Sequence, residues 1–274
     1  MTAGFGSNLI LRVATALVVL PLLVLALLFG PPALVVALVG AAMLTGLFEF
    51  FSLVRAARFE PLPLAGVLVG AAFFLDVALP DTFGVPLWPA ALVLFLAGAL
   101  ALSPEAPGGI AGAALTLFGA AYLGVLGGTI GALRQLSPLS DGAFRLLLLL
   151  GIVMCADTAA FFVGGALGRH PLAPSLSPGK TVEGALGGLG GGALGALLVR
   201  ALWLASLPAS HAVVLGVLVA ALSVVGDLFE SLLKRWAGQK DSGRLFPGHG
   251  GMLDRLDSLL FGAPLLYYYF GSIR

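Results

Sequence analysis

AFRLLLLLGIVMCADTAAFFVGGA, residues 143–166, decides what kind of protein this is. A helix needs about 20 apolar residues, at roughly 1.5 Å each, to cross the ~30 Å hydrocarbon core of a bilayer, and this run supplies them. Only Arg145, near its start, and Asp157, in its second half, carry charge. The whole chain shares the same bias. Of its 274 residues, 59% are hydrophobic and 10% charged, with a mean hydropathy of +1.09. A soluble domain carries about 25% charged residues, so this chain lacks the polar side chains to cover a water-facing surface.

Comparable runs recur at roughly 9–29, 33–54, 63–80, 87–103, 109–133, 183–204, 211–233 and 256–271. Backbone groups in lipid must be satisfied within the chain, so helices are the expected spanning element. The reading is an all-α, polytopic membrane helix bundle of about nine transmembrane helices. It forms one integral-membrane domain over 1–274, with N-terminal helices in 1–140 and the polar motifs in 141–274. Pro89 and Pro264 lie within the fourth and last runs. The first run is long for a signal peptide and has no small-residue cleavage site before Pro31-Pro32, so it reads as a retained helix. Cys155 is the only cysteine, which excludes an intramolecular disulfide framework. The net charge of +1 points to no charged partner, and no nucleic acid is expected.

Lys and Arg set the orientation. With nine spans and the N-terminus inside, the cytoplasmic side receives Arg12, Arg55, Arg58, Arg169, Lys180, Lys234, Arg235, Lys240, Arg244 and Arg255. The other side receives Arg134, Arg145, Arg200 and Arg274. The polar stretches 169–184 and 231–258 therefore face the cytoplasm, where soluble substrates are met. The localisation expected is the inner or plasma membrane of a prokaryote.

Within the spans, Asp157 and Asp227 lie at similar depth, about 10–12 Å from the cytoplasmic end of their helices at ~1.5 Å per residue. Glu49 is shallower. Carboxylates at such depth are costly and face a bundle interior or a wet cavity. For Glu49 a packing role and a functional one are equally open. Asp227, Glu230, Ser231 and Lys234 follow one another at i, i+3, i+4 and i+7, a single helical stripe. Asp254, Asp257 and Ser258 form a shorter stripe at the start of the last helix. Two facing acidic stripes suit a hard divalent cation such as Mg2+, which takes oxygen ligands and brings phosphates with it. The stretch between them supplies five cations, Lys234, Arg235, Lys240, Arg244 and Arg255. It also carries Gly248, His249, Gly250 and Gly251, whose glycines let backbone N–H groups approach an anion. Acids, cations and glycines together suggest a polyphosphate site.

These residues carry a resemblance. SLLKRWAGQKDSGRLFPGHGGMLDRLD, 231–257, resembles the signature of the phosphatidate cytidylyltransferase (CDP-diacylglycerol synthase) family at Ser231, Lys234, Arg235, Lys240, Asp241, His249, Gly250, Gly251, Asp254, Arg255 and Asp257. ADTAAFFVGGALGR and SPGKTVEG, at 156–169 and 177–184, are similar to two further segments of that family. The chain departs from the pattern at Gly179, where a second lysine is common, and at Phe161 and Phe162, where a tyrosine is frequent.

The resemblance implies that CTP and phosphatidic acid give CDP-diacylglycerol and pyrophosphate. Asp227 and Asp254 would hold Mg2+, with Asp157, Glu230 and Asp257 as ligands or close behind them. A second, weakly charged cation such as K+ is left open. Lys234, Lys240, Arg244 and Arg255 would hold the triphosphate and the leaving pyrophosphate, with Ser231, Arg235, Gly250 and Gly251 among the substrate contacts. Lys180, with Ser177 and Thr181, would hold the lipid phosphate or a CTP phosphate. His249 would donate to the leaving group. Other readings are CDP transfer to a different phospholipid acceptor, or an ion-coupled transporter. Against transport, the acids crowd at one side and the halves show no convincing repeat. The glycine run at 184–196 reads as close helix packing, within the bundle or at a homodimer contact.

Overall fold

The computed structural model describes residues 21–80, 82–102, 109–243 and 250–272. Residues 21–29 are helical and are called α1. Then come α2 (Pro32–Ala56), α3 (Pro63–Ala78), α4 (Trp88–Leu102), α5 (Gly109–Gln135) and α6 (Gly142–Leu167). A short hairpin, β1 (Pro171–Ala173) and β2 (Ser177–Thr181), precedes α7 (Val182–Trp203), α8 (Ala209–Trp236) and α9 (Leu253–Ser272). Among the described residues, five helices are long and apolar enough to cross a membrane: α2, α5, α6 with the short turn before it, α7 and α8. This is an all-α membrane bundle. The apolar α3 and α4 are 16 and 15 residues long. At ~1.5 Å per residue neither reaches the ~30 Å of a full hydrocarbon core by itself.

The prolines act as their positions dictate. Pro32 and Pro63 each open a helix, where the missing N–H costs nothing. Pro89 is the second residue of α4 and serves the same way. Pro264 lies inside α9 without ending it. The hairpin is the one departure from helix in 169–184, which the sequence shows only as a polar loop. Pro171, Pro174 and Pro178 disfavour helix there, and the chain pairs Pro171 with Thr181 and Ala173 with Ser177 instead.

Apolar side chains have no preference for each other over lipid tails, so close backbone approach is the main source of helix adhesion. The glycine run delivers it inside the bundle. A Cβ on Gly187 would meet Val163 at 2.6 Å, one on Gly191 would meet the Cys155 carbonyl at 2.5 Å, and one on Gly195 would meet the Gly151 carbonyl at 2.5 Å. These three glycines, four residues apart, seat α7 on α6. On the other flank Gly192 approaches the Gly216 carbonyl, locking α7 to α8. Phe50, Phe51, Leu47, Leu123, Leu149 and Leu260 are fully buried where α2, α5, α6 and α9 converge.

Helix ends need partners too, because an unsatisfied N–H or C=O inside a membrane costs several kcal/mol. Neighbouring helices provide them. Thr116 on α5 accepts from the Leu62 N–H at the head of α3 (2.9 Å). Asp76 on α3 accepts from the N–H groups of Leu87 and Trp88 at the head of α4 (2.9 and 2.7 Å). Arg145 donates to the carbonyls of Leu136 and Ser137 (2.6 and 3.0 Å), and Arg200 to that of Leu207 (2.7 Å). These arginines sit at one end of the bundle, and the acidic cluster lies at the other. There the C-terminal ends of α2, α6 and α8 meet the hairpin and the N-terminal ends of α7 and α9.

Candidate active site

The cluster has three parts, each set by a different local device. The first is a cavity of about 390 Å3 between α6, the hairpin, α7 and α8. Asp157, Lys180, Thr181, Ser223 and Asp227 line it together with Phe161, Leu172 and Val224. The Lys180 ammonium donates to Asp227 Oδ2, so the end of β2 is strapped to α8. Thr181 caps α7, its hydroxyl accepting from the Gly184 N–H (3.1 Å).

The second part is a carboxylate trio. One oxygen from each of Asp227, Glu230 and Asp257 lies within 4.8 Å of the others. Asp227 and Glu230 share a face of α8 by their i, i+3 spacing. Asp257 comes from α9, and Gly226 is what lets it in. A Cβ at Gly226 would sit 2.5 Å from the Asp257 carbonyl and 2.9 Å from the Phe261 ring. Gly226→Val is therefore expected to push α9 away and open the trio. Overpacking of this kind costs about 1–3 kcal/mol, and a fall in the detergent melting temperature together with lost activity checks it.

The third part is a knot around Lys234. Its ammonium lies 2.5 Å from Glu230 Oε2 and 2.6 Å from Asp254 Oδ1. Asp254 Oδ2 accepts from the Gly251 N–H (2.8 Å), the Ser242 hydroxyl (2.8 Å) and the Ser242 N–H (3.2 Å). Asp254 is thus filled by protein donors, and the Gly251 N–H serves a carboxylate of the chain itself. Gly250, at φ +78°, also hugs Asp254: a Cβ there would fall 2.5 Å from its oxygen. Only glycine adopts that backbone readily and leaves that space.

A cation suits the trio. Glu230 is 1% exposed, and its Oε1 is buried with no hydrogen-bond partner among the described residues. Three carboxylates this close together, one of them with a buried oxygen that has no partner among the described residues, form a donor set for a hard divalent ion. The geometry groups Asp227 with Glu230 and Asp257, puts Asp157 in the cavity lining, and ties Asp254 to Lys234.

The remaining predicted residues lie around this cluster. Ser231 is buried on α8. Arg235 is exposed at its end and donates to the Leu176 carbonyl of the hairpin turn (3.3 Å). Lys240 and Arg255 are exposed, and Ser177 opens β2. Arg244 and His249 lie outside the described residues. Two residues without a role assigned from sequence enter the cluster, Glu49 and Ser242. Glu49 Oε1 accepts from the Met252 N–H (2.9 Å), and its Oε2 accepts from the Leu253 N–H (2.8 Å) and the Ser242 hydroxyl (3.1 Å). The only signal in the sequence was the cost of a carboxylate near the end of an apolar helix. Nothing there named its partners, some 200 positions away.

Known proteins resemble this chain. A model of the cytidylyltransferase family matches residues 10–273. A protein named phosphatidate cytidylyltransferase from Brucella suis biovar 1 is 46% identical over 153 residues, 56% of this chain and 55% of that protein. Its namesake from Synechocystis is 45% identical over 130 residues, 47% and 43% of the two chains. That from Helicobacter pylori is 46% identical over 133 residues, 46% and 48%. The chain spans about half the length of these curated relatives. Because the family match runs over nearly the whole sequence, the chain belongs to the cytidylyltransferase family.

Proposed function

We propose that the chain transfers the cytidylyl group of CTP to phosphatidic acid, giving CDP-diacylglycerol and pyrophosphate. A single observation supports this most. At one end of an apolar bundle, a cavity lined by Lys180, Asp157 and Asp227 together with Phe161, Leu172 and Val224 adjoins a carboxylate trio. A lipid phosphate and a nucleotide triphosphate need such a meeting place at the membrane surface. The family and the names of its relatives favour the same pair of substrates.

An oxygen of the lipid phosphate forms a bond to the α-phosphorus of CTP. The bond from that phosphorus to the α–β bridging oxygen breaks, and the electron pair leaves with pyrophosphate. The attacking phosphate is already ionised, so no base is required. Asp227, Glu230 and Asp257 would hold Mg2+, with Asp157 and Asp254 close by and room for a second cation such as K+. When bound, Mg2+ supplies charge neutralisation at the phosphates. Lys180 would hold the lipid phosphate beside Phe161, Leu172 and Val224. Lys234, Lys240, Arg244 and Arg255 would neutralise the triphosphate and leaving group, and His249 would donate to it. The chemistry then rests on positioning and electrostatics. The bundle would cross the prokaryotic inner or plasma membrane about nine times, with its N-terminus and polar end in the cytoplasm.

The test is an acceptor panel in mixed micelles. Label from α-labelled CTP should enter lipid with phosphatidic acid. Entry only with another phospholipid would change the acceptor, and no entry with any would remove the enzyme reading. In the same assay Lys180→Gln should raise the KM for phosphatidic acid about tenfold and leave the KM for CTP nearly unchanged, because it removes binding to one substrate only. A rise in the CTP KM alone would move Lys180 to the nucleotide.

A further inference from the structure

We infer that Glu49 is a positioning residue for the reaction, acting through Ser242 and the head of α9 to hold Asp254 in place. This rests on the cytidylyl-transfer reading. Glu49 belongs to α2, remote in sequence from both polar stretches, yet its carboxylate joins Ser242 to Met252 and Leu253 within the second one. One oxygen takes the Met252 N–H, and the other takes the Leu253 N–H and the Ser242 hydroxyl. The same hydroxyl lies 2.8 Å from Asp254 Oδ2. A single proton thus serves two carboxylates, and Glu49 and Asp254 are coupled through it.

The packing is built for that contact. A Cβ on Gly243 would collide with Glu49 Oε1, and one on Gly251 would collide with Glu49 Oε2 and the Ser242 hydroxyl. Gly243 and Gly251 leave the carboxylate its space from opposite flanks. Ser242 itself is 6% exposed. Glu49 also does for α9 what Asp76 does for α4, satisfying N–H groups at a helix head from a neighbouring helix. The two differ in what the capped helix carries. Asp254 is the second residue of α9, and Asp257 stands one turn on in the trio. A shift at this helix head therefore reaches both the Lys234 knot and the candidate cation ligands.

Glu49→Gln keeps the shape but turns one acceptor into a donor facing N–H groups. It should lower kcat about 10- to 100-fold, the range for a residue that orients a ligand, and leave the KM for phosphatidic acid within about twofold. The Mg2+ concentration for half-maximal rate should rise, which simple loss of stability would not produce. Ser242→Ala, which cuts the bridge without a charge change, should move the same parameters less and stands in if Glu49→Gln does not fold. Hydrogen exchange of the 250–257 amides gives a readout independent of activity, and Glu49→Gln should accelerate it about fivefold, as loss of a helix cap does. Faster exchange with unchanged kcat and Mg2+ dependence would overturn the positioning role. Unchanged exchange would overturn the clamp. A wild-type protein that makes no CDP-lipid would sink the transfer reading, and the kinetic role of Glu49 with it, while the exchange arm still decides the clamp.

Discussion

Asp227→Asn and Asp257→Asn should each abolish cytidylyl transfer, by about a thousandfold or more, with the bundle still monodisperse in detergent. Each removes one charge from a trio whose oxygens lie within 4.8 Å of one another. A hard divalent ion depends on that charge count, and a carboxamide supplies half the donor with none of the charge. Folding should survive, because Asn has the size and shape of Asp and, at 227, can still accept from Lys180. Glu230→Gln should lose less activity, since Lys234 compensates part of the Glu230 charge. The rates are read at saturating CTP over a Mg2+ titration. Near-normal turnover in both Asp variants would remove the trio from the reaction.

Lys234→Met should have the largest effect on stability. Its side chain is 15% exposed and lies between Glu230 at 1% and Asp254 at 11%. Removing the cation leaves two carboxylates at close range with little water between them. Breaking a buried pair by deleting one partner costs about 3–5 kcal/mol, so the melting temperature should fall by many degrees. The double variant Glu230→Gln/Lys234→Met should regain much of that stability, because the uncompensated charge is gone, and should remain inactive. Detergent unfolding of the wild type, both single variants and the double variant closes the cycle. A Lys234→Met protein as stable as the wild type would show that the knot contributes nothing to the fold.

The helical architecture was legible because lipid imposes one rule, about 20 apolar residues per span, and five of the described helices obey it while α3 and α4 fall short. The stretch 143–166 became α6 at Gly142–Leu167, and 183–204 became α7 at Val182–Trp203. The stripe of Asp227, Glu230 and Lys234 needed only the helical repeat. Contact across helices was beyond reach of the sequence. Lys180 reads as a phosphate ligand from its motif, and only the fold shows it strapped to Asp227. Gly250 and Gly251 read as room for a phosphate, whereas the space they leave is taken by Asp254 and Glu49. The 171–181 hairpin was hidden because three prolines forbid helix without specifying what replaces it. Glu49 was visible only as an expense, since its partners come about 200 residues later.

If this polar end joins a lipid phosphate to the α-phosphorus of CTP, the α- and γ-phosphates must part company. Purified protein should be given phosphatidic acid and Mg2+ with CTP labelled at either the α- or the γ-phosphate. α-Label should enter the organic phase and γ-label should appear in pyrophosphate, in equal amounts, with both lost in Asp227→Asn. γ-Label appearing in the lipid, or α-label staying in water while pyrophosphate forms, would contradict it.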